Sequence, residues 1–219
     1  MRSRDLPLVP ALLIASFHLS VCAASLSFHC TKHHEEVRLS NDCLTASLLS
    51  NGTGGVVISS SPVPLSPHVG LYFQLTVDEV GDHLGSGLAI GLTTTDPATL
   101  SSVPHFAIDV ADSWFAGYTG TARLDSTWDD SFKFYSNRLE AGDTVALLLS
   151  VQRYFMVFHN GRLKDWRFVR NVVRTLELPM FALVDVRGDT RVVTLARDAH
   201  PPDEVIRAAR KVAREHDEL

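Results

Sequence analysis

The stretch that indicates the fold of this chain most directly is residues 87–97, Gly87-Leu88-Ala89-Ile90-Gly91-Leu92-Thr93-Thr94-Thr95-Asp96-Pro97. Leucine and isoleucine alternate here with smaller residues at a period of two, the pattern of a strand that buries one face. Gly87 and Gly91 omit a side chain where a neighbouring backbone needs room. Asp96-Pro97 ends the strand, because proline cannot donate a further ladder hydrogen bond. The stretch therefore predicts a central strand and its exit loop.

Other strand-like segments recur along the chain, with a turn signal between most of them. They are residues 26–29, 37–40, 44–49, 56–58, 71–77, 132–135, 145–151, 154–158, 179–186 and 190–195. The first two are predicted to pair as a hairpin, whereas residues 109–130 are predicted to be irregular. Strands and helices do not alternate, so the pattern predicts an all-β antiparallel sandwich.

One helix is predicted, over Pro202–His216. Val205, Ala209, Val212 and Ala213 form a narrow apolar stripe along it, with basic residues largely off the stripe. The stripe either docks lightly on the sandwich or belongs to a solvated stalk. We favour the stalk, because the stripe is made of small residues.

The composition fits a single globular domain that does not bind nucleic acid. The chain has 219 residues, 45% of them hydrophobic, and a formal net charge of -5. Nucleic-acid binding favours a basic face, which this balance does not provide. The sequence has no G-x-S-x-G nucleophile motif and no phosphate-binding glycine loop, so we expect neither an enzyme nor a cofactor.

The N-terminus has the pattern of a secretory signal peptide. Met1-Arg2-Ser3-Arg4 is a basic head, residues 6–24 are mostly apolar or small, and Val21-Cys22-Ala23 offers a cleavage site. A transmembrane anchor is the alternative. The apolar stretch is barely long enough to span a bilayer and contains two prolines, so we predict a cleaved signal over residues 1–23.

The last four residues, His216-Asp217-Glu218-Leu219, form an HDEL tetrapeptide. This motif at a C-terminus is read by the receptor that returns soluble proteins to the endoplasmic reticulum. Together with a signal peptide, it predicts a soluble protein of the endoplasmic reticulum lumen. Residues 199–219 are then a helical tail that presents the motif to the HDEL receptor.

Two further features agree with the secretory pathway. Asn51-Gly52-Thr53 is an N-glycosylation sequon in a turn-like context, although it can also be an unmodified Asn-Gly turn. Once Cys22 is removed with the signal, Cys30 and Cys43 remain. In an oxidising compartment they can form a disulfide that contributes about 3 kcal/mol, and two free thiols are the alternative.

Four stretches together resemble the Neuralized homology repeat. They are Phe28-His29 with residues 37–40 and Ala46-Ser47; residues 55–59 with Pro64-Leu65; residues 87–97; and Asn160-Gly161 with residues 181–188. The resemblance implies a SPRY-like β-sandwich over residues 26–198 that binds a protein or peptide without catalysis. The family often carries a RING domain or a SOCS box, but two cysteines cannot build a RING.

The chain departs from the family pattern at four positions. His34 stands where the family usually has glycine, Leu48 where it has arginine, Phe181 where it favours tryptophan and Arg187 where it favours tyrosine. The chain is therefore interpreted as a divergent member, and an inherited partner is less secure than the fold.

Aromatic residues crowd the segment that is predicted to be irregular. Trp114, Phe115, Tyr118 and Trp128 are candidate ligand-binding residues, since aromatics on the loops of a rigid sandwich form recognition surfaces. They can instead close one end of the core. A glycan is the alternative ligand, and a cytosolic adaptor for a ubiquitin ligase is the alternative role if the signal is not cleaved.

Two polar clusters are interpreted as solvated loops. The first could hold a metal ion but lacks a spaced partner that completes a ligand set; it contains His29, His33, His34, Glu35 and Glu36. The second could supply a general acid and base, but nothing fixes the separation of its carboxylates; it contains Asp109, Asp112, Asp129 and Asp130.

Overall fold

The computed structural model of this protein describes residues 25–81, 85–171 and 177–216. The predicted signal peptide and residues 217–219 lie outside this part of the chain. The described residues form fifteen strands and one α-helix. In chain order the elements are β1 Phe28–His33, β2 Val37–Ser40, β3 Thr45–Leu48, β4 Gly54–Ser59, β5 Leu65–Ser66, β6 Gly70–Val80, β7 Ala89–Thr93, β8 Ser113–Gly117, β9 Thr121–Leu124, β10 Thr127–Asp129, β11 Thr144–Ser150, β12 Tyr154–His159, β13 Arg162–Phe168, β14 Phe181–Arg187, β15 Thr190–Leu195 and α1 Asp203–His216.

The strands form two antiparallel sheets. Sheet I has the order β1-β4-β14-β7-β8-β9-β10, and sheet II has the order β13-β12-β11-β6-β15-β3-β2, with β5 added to β6. The strand predicted from residues 87–97 is β7, and it lies in the middle of sheet I between β14 and β8. The predicted antiparallel sandwich with a C-terminal helix is confirmed.

The main core lies between the two sheets. Its largest buried side chains come from both sheets and include Phe28, Phe73, Leu75, Ile90, Leu92 and Phe155. Apolar residues also occupy the outer face of each sheet, which explains why β4, β7 and β14 are buried along their whole length. Each outer face is covered by a different kind of segment.

The loop between β7 and β8, residues 94–112, covers the outer face of sheet I. Val103, Ala107 and Val110 of this loop are buried against Phe115 and Leu183 of the sheet. Two short 3-10 turns shape the loop, Pro97–Thr99 and Ala107–Asp109. Asp96 begins the first of them by accepting a hydrogen bond from the Ala98 backbone N–H at 2.8 Å.

Helix α1 covers the outer face of sheet II. Its buried residues are the four of the predicted stripe, Val205, Ala209, Val212 and Ala213, and they pack in one cluster with side chains of β6, β11 and β12. The prediction of a solvated stalk is therefore wrong. The small residues of the stripe let the helix approach a surface built from larger side chains of the sheet.

Three strand predictions are wrong. Segments β1 and β2 do not pair as a hairpin: β1 pairs with β4 in sheet I, and β2 pairs with β3 in sheet II. Residues 109–130 are not irregular, since they contain β8, β9 and β10. Residues 132–135 are not a strand. Phe132 and Phe134 alternate into the core, but the Lys133 N–H donates to the Asp165 side chain rather than to a ladder.

Candidate ligand-binding face

One row of cross-strand neighbours runs over the outer face of sheet I. Leu183 is opposite Gly91, Gly91 is opposite Phe115, Phe115 is opposite Arg123, and Arg123 is opposite Trp128. Residues directly opposite each other in antiparallel strands project to the same face. The row therefore sets Phe115, Arg123 and Trp128 side by side on one surface.

Gly91 makes room for this row. A Cβ atom at Gly91 would collide with the Trp114 carbonyl oxygen and with the Phe115 Cβ. Gly87 is equally constrained, since its Cβ would collide with the Ser136 backbone. The prediction that these two glycines stand where a neighbour approaches closely is confirmed. At Gly91 the missing side chain lets Phe115 lie against the sheet.

The structure brings together three of the four predicted ligand-binding residues. The Phe115 ring meets the Tyr118 ring edge-on at a centroid distance of 5.9 Å and the Trp128 ring at 5.8 Å. Phe115 is fully buried, whereas Trp128 is 45% exposed. Trp114 packs in the core between the sheets and donates from its Nε1 to Asp125 at 3.2 Å, but it also lines a cavity that it shares with Ile108 and Arg123. The separation follows from strand geometry, because successive side chains project to opposite faces.

A buried carboxylate fixes the loop over this face. The Asp185 side chain on β14 is fully buried and accepts a hydrogen bond from the Tyr118 hydroxyl at 2.8 Å. The Ala107 backbone N–H, in the covering loop, donates to the same oxygen at 3.1 Å. The Arg187 guanidinium donates to the other oxygen at 3.3 Å. One side chain thus connects the sheet, the covering loop and the turn after β8.

Burial and charge act against each other at this carboxylate. Burial raises the pKa of Asp185, while the Arg187 charge and the hydrogen bonds from Tyr118 and Ala107 act to lower it. Burial also raises the pKa of Tyr118, and the charge of Asp185 raises it further. The Tyr118 hydroxyl is therefore held protonated as a donor. The arrangement is suited to fixing a surface, because each oxygen of the Asp185 carboxylate accepts a hydrogen bond from inside the protein.

Arg187 extends the network to the edge of the loop. Its Nη2 donates to the His105 carbonyl at 2.8 Å, and its guanidinium lies 4.1 Å from the centroid of the Phe106 ring. Gly54 faces the guanidinium so closely that a Cβ there would collide with it. The cation–π contact holds Phe106 in place while 43% of the residue stays exposed.

The outer face of sheet I and its covering loop carry three exposed apolar side chains and the half-buried Tyr118. We use the name apolar face for Phe106, Ile108, Tyr118 and Trp128. Phe106, Ile108 and Trp128 are large, exposed hydrophobic residues. A cavity of about 420 Å³ adjoins the apolar face, with Ile108 and Arg123 in its lining. A rigid surface with apolar anchors and a neighbouring cavity is suited to binding another molecule.

Sequence reasoning missed Phe106, Ile108, Arg123, Asp185 and Arg187. A signal was present for Asp185 and Arg187, because two charged residues end an otherwise continuous apolar strand. Buried charges are rare unless they are paired. Nothing in the pattern of residues 94–112 indicated that Phe106 and Ile108 would be exposed.

The histidine cluster near the N-terminus meets the edge of the same loop. The His34 ring lies edge-on to His105 at a centroid distance of 4.7 Å, and both line a cavity of about 570 Å³ with His33. Burial lowers the pKa of His34, and the neighbouring His105 lowers it further. Within residues 25–81, 85–171 and 177–216, no three histidine, cysteine, aspartate or glutamate side chains group so as to hold a metal ion.

The candidate acids have ordinary structural surroundings. Asp109, Asp112 and Asp130 are exposed. Asp129 accepts hydrogen bonds from the Ser131 hydroxyl at 2.6 Å and from Arg167. Partial burial acts to raise the pKa of Asp129, but these partners outweigh it and the pKa lies below its ordinary value. Such contacts hold Asp129 as a carboxylate rather than as a proton donor.

Of the features that suggested the secretory pathway, the sequon lies near the apolar face, since its Thr53 Oγ1 is 3.4 Å from the His105 Nε2. Cys30 and Cys43 form a disulfide with a Cα–Cα distance of 5.5 Å, as predicted, and it ties β1 to the turn between β2 and β3. Asn51 is exposed in a turn. His216 ends α1 with its ring 4.5 Å from Trp166. Among the described residues, no helix is both long and apolar enough to cross a membrane.

The chain is similar to known proteins both in sequence and in fold. The sequence model of the Neuralized family matches residues 28–197. The crystal structure of the Drosophila melanogaster Neuralized NHR1 domain superposes with a TM-score of 0.62 at 16% identity, covering 80% of this chain and 99% of that domain. The solution structure of the NHR domain in Neuralized from the same fly gives 0.59 at 15% identity, covering 80% and 93%. The TRIM65 PSpry domain gives 0.51 at 11% identity, with the same coverage of 80% and 93%.

Proposed function

This chain belongs to the Neuralized family, and from that premise we propose that it acts as a non-catalytic module that binds a protein or peptide ligand through the apolar face. Its sandwich is the fold of NHR and SPRY protein-binding modules. The observation that carries the proposal is the exposure of Phe106, Ile108 and Trp128 above a fixed polar network.

The chemistry of the face favours a ligand with apolar anchors. Tryptophan, tyrosine and arginine dominate binding energies when they are buried at an interface, and Trp128, Tyr118 and Arg123 are neighbours here. Because Phe115 and Asp185 hold the surface in advance, little conformational entropy is lost on binding. An aliphatic or aromatic ligand side chain would enter beside Ile108 and Arg123.

Phage display of random peptides tests this assignment. We expect selected peptides to bind the wild-type protein and to lose about tenfold or more in affinity on Trp128→Ala or Phe106→Ala. Phe168→Ala is the matched control, because Phe168 is similarly exposed (42%) but lies on β13 of sheet II. Selected peptides that bind all three variants equally would contradict the proposed site. A glycan array on the same protein examines the lectin alternative, and specific glycan binding that Trp128→Ala abolishes would replace the peptide proposal.

We also propose that the protein resides in the lumen of the endoplasmic reticulum. The Cys30–Cys43 disulfide and the exposed Asn51 sequon support an oxidising, glycosylating compartment. The HDEL sequence supports retention there. The full chain should stay inside cells and shift on endoglycosidase H digestion, while a form lacking Leu219 is secreted. An unglycosylated cytosolic protein with an intact N-terminus would instead support a ubiquitin-ligase adaptor.

A further inference from the structure

A second surface lies on the opposite side of the sandwich, beside helix α1. A cavity of about 510 Å³ runs between the helix and two loops of sheet II. Arg207, Arg210 and Arg214 line it from the helix, and His68 and Gln152 line it from the loops. We call these five residues the basic groove.

The three arginines converge because of their spacing. They follow one another at i, i+3 and i+7, so they share one flank of the helix. The adjacent stripe is buried against sheet II, which turns this flank toward the loops. All three arginines are exposed, and Ala209 and Ala213 form an apolar floor between them.

Helix stability explains only part of this arrangement. Like charges three or four residues apart repel each other. Arg214 is favoured near the helix C-terminus, and its Nε donates to the Arg210 carbonyl at 3.2 Å. Arg207, however, lies in the second turn of α1, where the C-terminal dipole has no favourable effect. Asp203 and Glu204 precede Arg207 at the spacing of a stabilising pair, but among the described residues neither acid forms an ion pair with it, so its guanidinium is left for another partner.

The described residues supply no carboxylate to the groove. No aspartate or glutamate is found in its lining, and the ion pair formed within α1 joins Lys211 to Glu215 instead. The chain as a whole carries a formal net charge of -5, so the groove concentrates positive charge on a protein that is negative overall. A cluster of guanidinium groups with no carboxylate among them attracts an anionic partner.

We propose that the basic groove binds an extended acidic segment of a partner protein. Arg207 and Arg214 are about 10 Å apart along the helix axis, a distance that an extended peptide covers in about three residues. Guanidinium groups match carboxylates as bidentate partners, which favours aspartate or glutamate at alternate positions. The apolar floor accommodates small side chains between the acids. The negative net charge and the short groove disfavour nucleic acid.

Fluorescence anisotropy tests the proposal with a labelled peptide of alternating glutamate and alanine. We expect the full chain to bind it, to bind more weakly as salt is raised, and not to bind a peptide of alternating glutamine and alanine. The combined variant Arg207→Gln/Arg210→Gln/Arg214→Gln should lose about tenfold or more in affinity. Trp128→Ala should leave this binding unchanged, which separates the groove from the apolar face.

A control with the same charge change guards against a general electrostatic effect. Arg38→Gln/Arg162→Gln/Lys164→Gln also removes three exposed positive charges, but from β2 and β13. An equal loss of affinity in this variant would overturn the proposal, as would unchanged binding by the groove variant. Displacement of the peptide by inorganic phosphate at equal anionic charge would indicate a simple anion site. Binding only by a chain that ends at His216 would show that the groove serves the chain's own acidic C-terminus.

Discussion

The two outer faces of the sandwich are both covered, but by different means. A loop covers sheet I and is fixed by the buried Asp185 and its three donors. A helix covers sheet II and is held by an apolar stripe that includes Val205 and Val212. The loop leaves Phe106 and Ile108 exposed, whereas the helix presents charged residues to solvent.

The difference follows from how each segment satisfies its backbone. A helix forms its own hydrogen bonds, so apolar contacts are sufficient to dock it. A loop has backbone donors that need partners, and the Ala107 N–H finds one in Asp185. A polar anchor inside the protein therefore allows an irregular segment to keep one shape and to carry apolar side chains on its surface.

Removing the Asp185 carboxylate should have the largest effect on the stability of the protein. Asp185→Ala leaves the buried Arg187 without its carboxylate and the half-buried Tyr118 hydroxyl without an acceptor. We expect the free energy of unfolding to fall by about 3–5 kcal/mol in urea denaturation. Asp42→Asn is the control, because the Asp42 side chain is 87% exposed in its pair with Arg197, and it should cost less than about 1 kcal/mol. Equal costs would mean that the loop is not held by Asp185.

The disulfide should rank next, since it links the edge of sheet I to the edge of sheet II. Reduction should lower the free energy of unfolding by about 3 kcal/mol and expose two thiols, measured by denaturation and a thiol reagent. The Cys30→Ser/Cys43→Ser variant should show the same loss and no response to reductant. A wild-type protein that has the same stability with and without reductant would contradict the bridge.

The apolar docking of α1 should show a smaller effect. Val205 is fully buried, and Val205→Ala should lower the free energy of unfolding by about 2 kcal/mol. Hydrogen exchange of the α1 amides should accelerate with it. Lys211→Ala, on the exposed side, should change the free energy of unfolding by no more than about 0.5 kcal/mol. It should leave the hydrogen exchange of the α1 amides unchanged. A solvated helix would instead respond to neither substitution.

The smallest expected effect is a pH dependence at the edge of the covering loop. The pKa of His34 is lowered below the ordinary value of 6.5 by burial and by His105, although Glu35, Glu36 and Asp185 act to raise it. The unfolded chain therefore binds the proton more readily, so stability is full above pH 6.5 and falls as the pH drops through the folded-state pKa.

Thermal unfolding between neutral and mildly acidic pH measures this effect. His34→Gln should reduce the loss of Tm on acidification. His200→Gln, at an exposed position, should leave it unchanged. If titratable groups other than His34 cause the loss of Tm on acidification, both variants should show the same loss as the wild-type protein.

The strands with strong local patterns could be predicted from the sequence. β6, β14 and β15 contain continuous or alternating β-branched and aromatic residues, and β11 and β12 are joined by a clear turn. The edge strand β13 was missed, because its pattern of charged residues and its partial exposure resemble a loop. At Phe132 and Phe134 the alternation was present, but the backbone found no neighbouring strand to pair with.

The candidate site was only partly predictable for a related reason. The crowding of Trp114, Phe115, Tyr118 and Trp128 is visible in the sequence, and strand alternation alone separates Trp114 from Phe115 once β8 is known. The partners of Asp185 were not predictable, because Ala107 is 78 residues away in the chain. The pairing of β1 with β4 depended equally on distant segments.

Local patterns were enough to predict the sandwich class, the strand from residues 87–97 with its two constrained glycines and the apolar stripe of the helix, and they offered the disulfide as one of two alternatives. These are local patterns, and local conformational preference and side-chain periodicity are physical properties of short segments. The tertiary structure alone decided that the stripe docks, that Trp114 is in the core while Trp128 is exposed, and which groups surround Asp185. Those outcomes depend on contacts between distant segments, whose energies arise only when the two sheets, the loop and the helix come together.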